Sequence, residues 1–297
     1  MAEPPEGACY SPPMSRGARA KTQGFHPSRA KGQCFLKDER YVERIVQAIA
    51  PQPGETILEI GAGQGQLTIP LARAGARVVA IESDRRLAAE LRGSLSSVPP
   101  VGEVELLEAD ALRVDFRDLV HSHGPGKLRV VGNLPYSVAA PILLRLLAVR
   151  ENWRELVLMF QSEVAERLTA KPGTKAYGFL TVVAQRAAKV NLLFRIPPDA
   201  FRPRPRVVSA LLRFEMREVD TRDAVVDEKL FRGLVRGLLA HRRKTIGNNI
   251  KHLEPSGLSR EATLGALETM GIDPARRAET LGVEEFAELS RICAGYR

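Results

Sequence analysis

The feature that most limits the fold is the regular alternation of short apolar runs with helix-period segments that begins at Thr56. Thr56–Ile60 reads as a buried strand, followed by Gly61-Ala62-Gly63-Gln64-Gly65 and a helix through Leu67–Ala74. Arg77–Ile81 is a second predicted strand with a helix over 85–96, and Val104–Leu107 is a third. Leu128–Val131 and Leu156–Phe160 follow, with helices over 139–149 and from 162. A helix at 178–188 leads to two short strands, 189–194 and 208–215, which complete seven. Strands separated by helices need crossover connections, so they pair in parallel and the helices cover both faces. The expectation is an α/β chain with a Rossmann-like seven-stranded sheet.

The flanks differ from this pattern. Residues 1–30 are rich in Pro, Gly, Ser and Arg and poor in large aliphatic side chains, so a flexible basic tail is expected. Arg16, Arg19, Lys21, Arg29 and Lys31 in its later part are compatible with an arm on nucleic acid or with a solvated tail. Asp38 is placed to cap a helix over 39–50 that stops before Pro51-Gln52-Pro53-Gly54. Beyond about residue 217 only helices are predicted, at 227–252, 259–271 and 283–294, with turns at Pro255-Ser256-Gly257 and Gly271-Ile272-Asp273-Pro274. The chain therefore divides into a tail (1–30), a cofactor-binding α/β domain (31–217) and a small helical domain (218–297).

Composition narrows the class of function. With 44% hydrophobic and 27% charged residues the chain has the make-up of a soluble globular protein. Its net charge of +9 favours a polyanionic partner such as nucleic acid. Cys9, Cys34 and Cys293 are too scattered for a zinc site, and no metal is expected. No apolar run reaches the roughly 18–20 residues of a membrane span, and the N-terminus lacks the apolar core of a signal peptide, so a cytoplasmic location is expected.

Three consecutive strand ends carry residues suited to a nucleoside-bearing cofactor. The glycines of Glu59-Ile60-Gly61-Ala62-Gly63-Gln64-Gly65 allow a sharp turn and a close approach of backbone to ligand. Gln66 stands where the dinucleotide fingerprint has its third Gly, which argues against NAD. Glu82 ends the second strand, where a carboxylate can accept from ribose hydroxyls, and Asp110 ends the third, where one can accept from an adenine amino group. Singly, Glu82 or Asp110 is also explained as a helix N-cap. Together the set suggests S-adenosylmethionine.

The fourth strand ends in Asn133-Leu134-Pro135-Tyr136. The Asn133 side-chain oxygen and the Leu134 carbonyl are two acceptors, Pro135 fixes the turn, and Tyr136 supplies a flat ring beside them. That combination suits a planar group with an exocyclic amine, such as adenine. The alternative is an ordinary Pro turn with a core Tyr.

At this point the chain resembles a class I methyltransferase and, more narrowly, the small-subunit rRNA adenine N6,N6-dimethyltransferases, the kasugamycin-sensitivity enzymes. The matching stretches are Gly32-Gln33-Cys34-Phe35-Leu36, Leu58-Glu59-Ile60-Gly61-Ala62-Gly63, Asn133-Leu134-Pro135-Tyr136 and Gln161-Ser162-Glu163-Val164-Ala165-Glu166-Arg167. They continue in Lys175-Ala176-Tyr177-Gly178, Phe201-Arg202-Pro203-Arg204-Pro205-Arg206-Val207, His241-Arg242-Arg243-Lys244-Thr245, and Gly271-Ile272-Asp273-Pro274 with Arg277-Ala278-Glu279. The resemblance covers about residues 31–290 and excludes the tail. It implies S-adenosylmethionine contacts at Cys34, Leu36, Gly61, Gly63, Glu82, Asp110 and Asn133. It also implies dimethylation of two adjacent adenosines in a hairpin loop near the 3′ end of small-subunit rRNA, by a monomer. Cys34 departs from the family's Asn; a backbone contact there would survive the change and a side-chain contact would be weakened.

Phe201 is the candidate for the second face of a stacked base, against the alternative of a core anchor for its Pro-rich loop. Basic side chains gather at Arg195, Arg202, Arg204, Arg206 and Arg213 around that loop. Others, Arg232, Arg236, Arg242, Arg243, Lys244 and Lys251, lie along a helix expected over 231–252. Phosphate binding explains such clusters, and a solvated surface is the plain alternative. The competing functional readings are a large-subunit rRNA adenine dimethylase conferring antibiotic resistance, a methyltransferase-like assembly or transcription factor without catalysis, and a DNA adenine methyltransferase.

Overall fold

The computed structural model describes residues 34–97, 102–124, 126–218, 227–253 and 258–296. The tail, Gly32-Gln33 and the expected turn at Pro255-Ser256-Gly257 lie outside them. The elements are β1 (Phe35–Leu36), α1 (Glu39–Ile49), β2 (Thr56–Ile60), α2 (Thr68–Arg73), β3 (Arg77–Glu82), α3 (Arg85–Ser97) and β4 (Val104–Glu108). Then come α4 (Phe116–Ser122), β5 (Leu128–Asn133), α5 (Ala139–Ala148), β6 (Trp153–Gln161), α6 (Ser162–Leu168), α7 (Phe179–Ala187), β7 (Ala188–Ile196), β8 (Phe201–Arg202) and β9 (Ser209–Met216). The C-terminal part is α8 (Glu228–Leu238), α9 (Ile246–Asn249), α10 (Arg260–Thr269) and α11 (Val283–Ala294).

The seven-stranded sheet has the order β4-β3-β2-β5-β6-β9-β7. β4, β3, β2, β5 and β6 run parallel, and β9 is antiparallel to both β6 and β7. From β2 the chain steps outward to β3 and β4, then returns to β5 on the other side of β2. That reversal opens a crevice at the carboxyl ends of β2 and β5, where such sheets bind ligands. Ile57 and Leu58 of β2, Val78–Ile81 of β3 and Val130–Val131 of β5 are all buried, as expected of strands covered on both faces.

The seven expected strands are present, and β5 and β6 extend beyond their predicted ends. One helix was not anticipated. In α4, Asp115 caps the first turn by accepting from the backbone of Arg117 and Asp118, and Phe116, Leu119 and Val120 bury one stripe. At seven residues it is too short for a helical period to be legible.

The expected helix over 227–252 is broken, and this corrects the placement of its basic residues. α8 ends at Leu238, residues 239–244 form turns, and Thr245 caps the short α9 by accepting from the backbone N–H of Asn248. A Cβ on Gly237 would stand 2.5 Å from the Leu253 side chain, so the returning chain packs directly on α8 there. Arg242, Arg243 and Lys244 thus sit on a turn. The C-terminal helices share a core with the sheet: Phe231, Leu234, Leu281 and Phe286 belong to the same buried cluster as Phe160, Val182 and Tyr177. The Tyr177 hydroxyl donates to the Leu281 carbonyl at 2.8 Å across that junction.

Opposite the crevice, buried Arg129 pairs with Glu55 (3.2 Å) and Glu155 (2.7 Å) and donates to the Ile49 carbonyl (2.7 Å), fixing the end of α1 to β5. At Gly132 β5 passes close to the end of β2, since a Cβ there would lie 2.6 Å from the Ile60 backbone oxygen. Gly132→Ala is therefore expected to cost about 1–3 kcal/mol by overpacking. Calorimetry checks this, and an unchanged melting temperature would contradict the close approach.

Candidate active site

A cavity of about 370 Å³ occupies the crevice. Its wall includes Cys34, Leu36, Glu59, Gly61, Gly63, Glu82, Asp110, Asn133, Leu134, Pro135 and Tyr136. Residues from four strand ends and the β1 segment are thereby brought together.

The glycine turn is built around Glu82. Gly61 and Gly63 take φ of 78° and 58°, a region costly for a residue with a Cβ. In that conformation the Gly63 N–H donates to Glu82 Oε2 at 2.9 Å, and the Asp84 N–H donates to Oε1 at 2.8 Å. Both oxygens of a buried carboxylate are thus oriented, and each retains acceptor capacity toward the cavity. Asp110 is more exposed; its Oδ1 accepts from the Leu112 N–H at 2.9 Å, and Oδ2 lies 3.9 Å from Arg113.

Asn133 is the last paired residue of β5, opposite Met159, so the Leu134 carbonyl lies beyond the ladder. The Asn133 amide nitrogen donates to the Cys34 carbonyl at 3.2 Å. With the nitrogen committed there, Oδ1 is left as the acceptor at the cavity. The contact at Cys34 runs through backbone, which the change of side chain leaves intact. Burial pushes the Cys34 thiol up, the opposite of what an activated nucleophile needs. Tyr136 shares a 2.5 Å hydrogen bond with the Ser209 hydroxyl, and burial raises its pKa, so its phenol stays protonated.

Phe201 corrects the sequence reading. It is fully buried, pairs through its backbone with Leu36, and belongs to the core cluster of Ile45, Val131 and Leu211 rather than to the cavity wall. It anchors the strap of Cys34–Leu36, as a core residue would.

Glu59, which opens the glycine motif, is a further acid of the site. It lines the cavity, it is 2% exposed, and its Oε2 has no hydrogen-bond partner. Burial, aided by the like charge of Glu82, raises its pKa from 4.5 to about 8. A buried strand with covered faces was expected here, but the position of Glu59 at the cavity and its bare Oε2 follow only from the packing of neighbouring elements.

Among the basic candidates, Arg202 donates to the Phe201 (2.9 Å) and Asp199 (3.3 Å) carbonyls, and Arg204 pairs with Asp199 at 3.1 Å. Arg206, Arg243 and Lys244 are exposed. Arg242 is different. It donates to the carbonyls of Tyr177 and Thr174 and pairs with Glu279 at 2.7 Å, joining the 174–178 loop to the C-terminal part.

These residues fit S-adenosylmethionine: a paired carboxylate for ribose hydroxyls, an acid for a base amine, a glycine cradle, and a buried acid with one oxygen, Glu59 Oε2, unpartnered. The matching family profile, ribosomal RNA adenine dimethylase, covers residues 25–294. The chain belongs to the ribosomal RNA adenine dimethylase family. It is 43% identical to "Ribosomal RNA small subunit methyltransferase A" of Geobacter metallireducens over 91% of this chain and 96% of the relative. It is equally identical to the protein of that name in Moorella thermoacetica, over 92% and 95%. Two solved structures share the fold at 24% identity. A dimethyladenosine transferase from Plasmodium falciparum has a TM-score of 0.71 over 86% of this chain and 95% of its own. The 23S rRNA methyltransferase ErmE has 0.60 over 88% and 99%. As a member of this family the protein is a methyltransferase that uses S-adenosylmethionine.

Glu59 gives a sign-definite expectation. The folded state prefers its protonated form, so this contribution to stability is full below about pH 4.5, declines toward pH 8 and then levels off. Glu59→Gln removes that decline. Its melting temperature relative to the wild type should rise between pH 5 and pH 8, and parallel profiles would contradict the assignment.

Proposed function

We propose that the protein dimethylates the exocyclic N6 of two adjacent adenosines in a hairpin loop near the 3′ end of small-subunit rRNA, acting in ribosome biogenesis. The carrying observation is the Asn133 amide, whose hydrogen bond to the Cys34 carbonyl leaves an oriented acceptor at the cavity beside Leu134 and Tyr136. The small-subunit assignment is supported by the names of relatives that match nearly the whole chain at 43% identity.

When bound, S-adenosylmethionine supplies an electrophilic methyl group. The adenine amine is a weak nucleophile because its lone pair is delocalised into the ring. Asn133 Oδ1 and the Leu134 carbonyl accept its two hydrogens and favour a pyramidal nitrogen with a localised lone pair. Tyr136 stacks on the base and holds its plane, an interaction worth about 1–3 kcal/mol. Rate enhancement then comes from positioning and preorganised dipoles. No residue need act as base, since the newly alkylated nitrogen is strongly acidic; a protonated Tyr136 is suited to stacking rather than proton removal. In the second round one hydrogen remains for one acceptor.

The RNA contacts proposed are Arg202, Arg204, Arg206, Arg243 and Lys244, on a monomer working in the cytoplasm, with residues 218–297 as the RNA-binding domain. Arg242 is assigned instead to holding the 174–178 loop.

The test is transfer of labelled methyl groups to unmodified small and large ribosomal subunits, with the products digested to nucleosides. Dimethyladenosine in the small subunit is expected, and Asn133→Ala should slow transfer by about a hundredfold. Label in large-subunit RNA would move the assignment to the resistance enzymes; binding without transfer would leave an assembly factor.

A second expectation separates the three neighbouring cations. Replacing Arg243 and Lys244 by Ala should weaken subunit binding and flatten its salt dependence, with the melting temperature within about 2 °C of wild type. Arg242→Ala should lower the melting temperature by several degrees. Equal thermal effects would contradict the division of roles.

A further inference from the structure

Among the described residues, four large hydrophobic side chains are exposed: Leu192, Val207, Val208 and Tyr296. Two of them, Val207 and Val208, are adjacent, at 41% and 37% exposure, and they immediately precede the chain's contact with Tyr136, a residue of the cavity wall. Ser209, the next residue, holds the Tyr136 hydroxyl. The loop that carries the pair is fixed at both ends. Phe201 and Arg202 are paired with β1, and the Val208 carbonyl accepts from the Ser162 N–H at 2.9 Å. Exposed Arg202, Arg204 and Arg206 alternate along the same loop.

We infer that Val207 and Val208 form an apolar wedge that enters the RNA stack beside the target adenosine and fills the space the base vacates. This rests on the adenosine-methylation reading. An enzyme that works on a base amine must take the base out of its stack, and the gap left behind favours closure unless something apolar occupies it. Two stiff β-branched side chains meet that need, because they bring surface with little conformational freedom to lose. Three arginines around them supply the phosphate attraction that brings a strand to this lip. An apolar protein partner would be poorly matched by such a rim, whereas RNA offers phosphates outside and base faces inside.

The test compares wild type, the double variant Val207→Ser with Val208→Ser, and the double variant Val207→Ile with Val208→Ile on unmodified small ribosomal subunits. Single-turnover methyl transfer is measured with enzyme and cofactor saturating. The serine variant should be slowed at least about tenfold, with cofactor affinity, subunit affinity and melting temperature within about twofold or 2 °C of wild type; isoleucine should restore the rate. In subunits reconstituted with an abasic nucleotide beside the adenosines there is less stacking to break, and the serine defect should shrink to near nothing. A serine variant that transfers at the wild-type rate would overturn the wedge. So would a defect confined to subunit affinity, the mark of a docking surface for ribosomal protein, or one that persists on the abasic substrate. Failure of the wild type itself on small subunits would overturn the methylation reading, and the wedge with it.

Discussion

The cavity mouth depends on one side-chain amide. The Asn133 hydrogen bond to Cys34 ties the end of β5 to the strap of residues 34–36. That strap is held to β8 by the Phe35–Arg202 and Leu36–Phe201 pairs, and Lys37 and Asp38 donate to the Ala200 carbonyl. The loop after β8 returns at Ser209, whose hydroxyl meets Tyr136, three residues from Asn133. The contacts therefore close a ring around the entrance. Asn133 belongs to it twice, as the donor that closes the strap and as the acceptor left facing a ligand. A substituted side chain at Cys34 is tolerable in this arrangement because the ring uses its carbonyl.

The sheet explains why the ring can be rigid. The crevice exists because β5 returns to the other side of β2, and Gly132 lets those strands approach just before Asn133. At the far end, Arg129 fixes β5 to Glu55, Glu155 and the end of α1. A strand anchored below and closely packed above presents its last residue in one position. The acids follow the same logic: Glu82 is oriented by two backbone donors, and burial raises the pKa of Glu59 to about 8.

What could be read from the sequence follows from the range of the forces involved. The parallel strands were legible because burial on both faces demands continuous apolar runs. The Gly, Glu, Asp and Asn strand ends were legible because a crossover sheet places them on one edge. Phe201, Arg242 and Glu59 were not. Whether a Phe in a Pro-rich loop turns inward depends on the partner strand 165 residues earlier that pairs with it, through Leu36. Whether an Arg in a basic run faces solvent depends on Glu279 and on carbonyls of the 174–178 loop. The apparent helix at 227–252 failed for a related reason: the local pattern continues, but tertiary packing at Gly237 turns the chain back.

The double role of Asn133 is open to a direct measurement, calorimetric titration of S-adenosylmethionine into Asn133→Asp. The substitution keeps the size and an acceptor oxygen but cannot donate to the Cys34 carbonyl. Loss of this part-buried hydrogen bond, worth about 1–2 kcal/mol, should lower the melting temperature by a few degrees and, by releasing the strap, weaken cofactor binding roughly five- to thirtyfold. Wild-type affinity in this variant would show that the strap closes without the amide, and would contradict the ring of contacts on which the account rests.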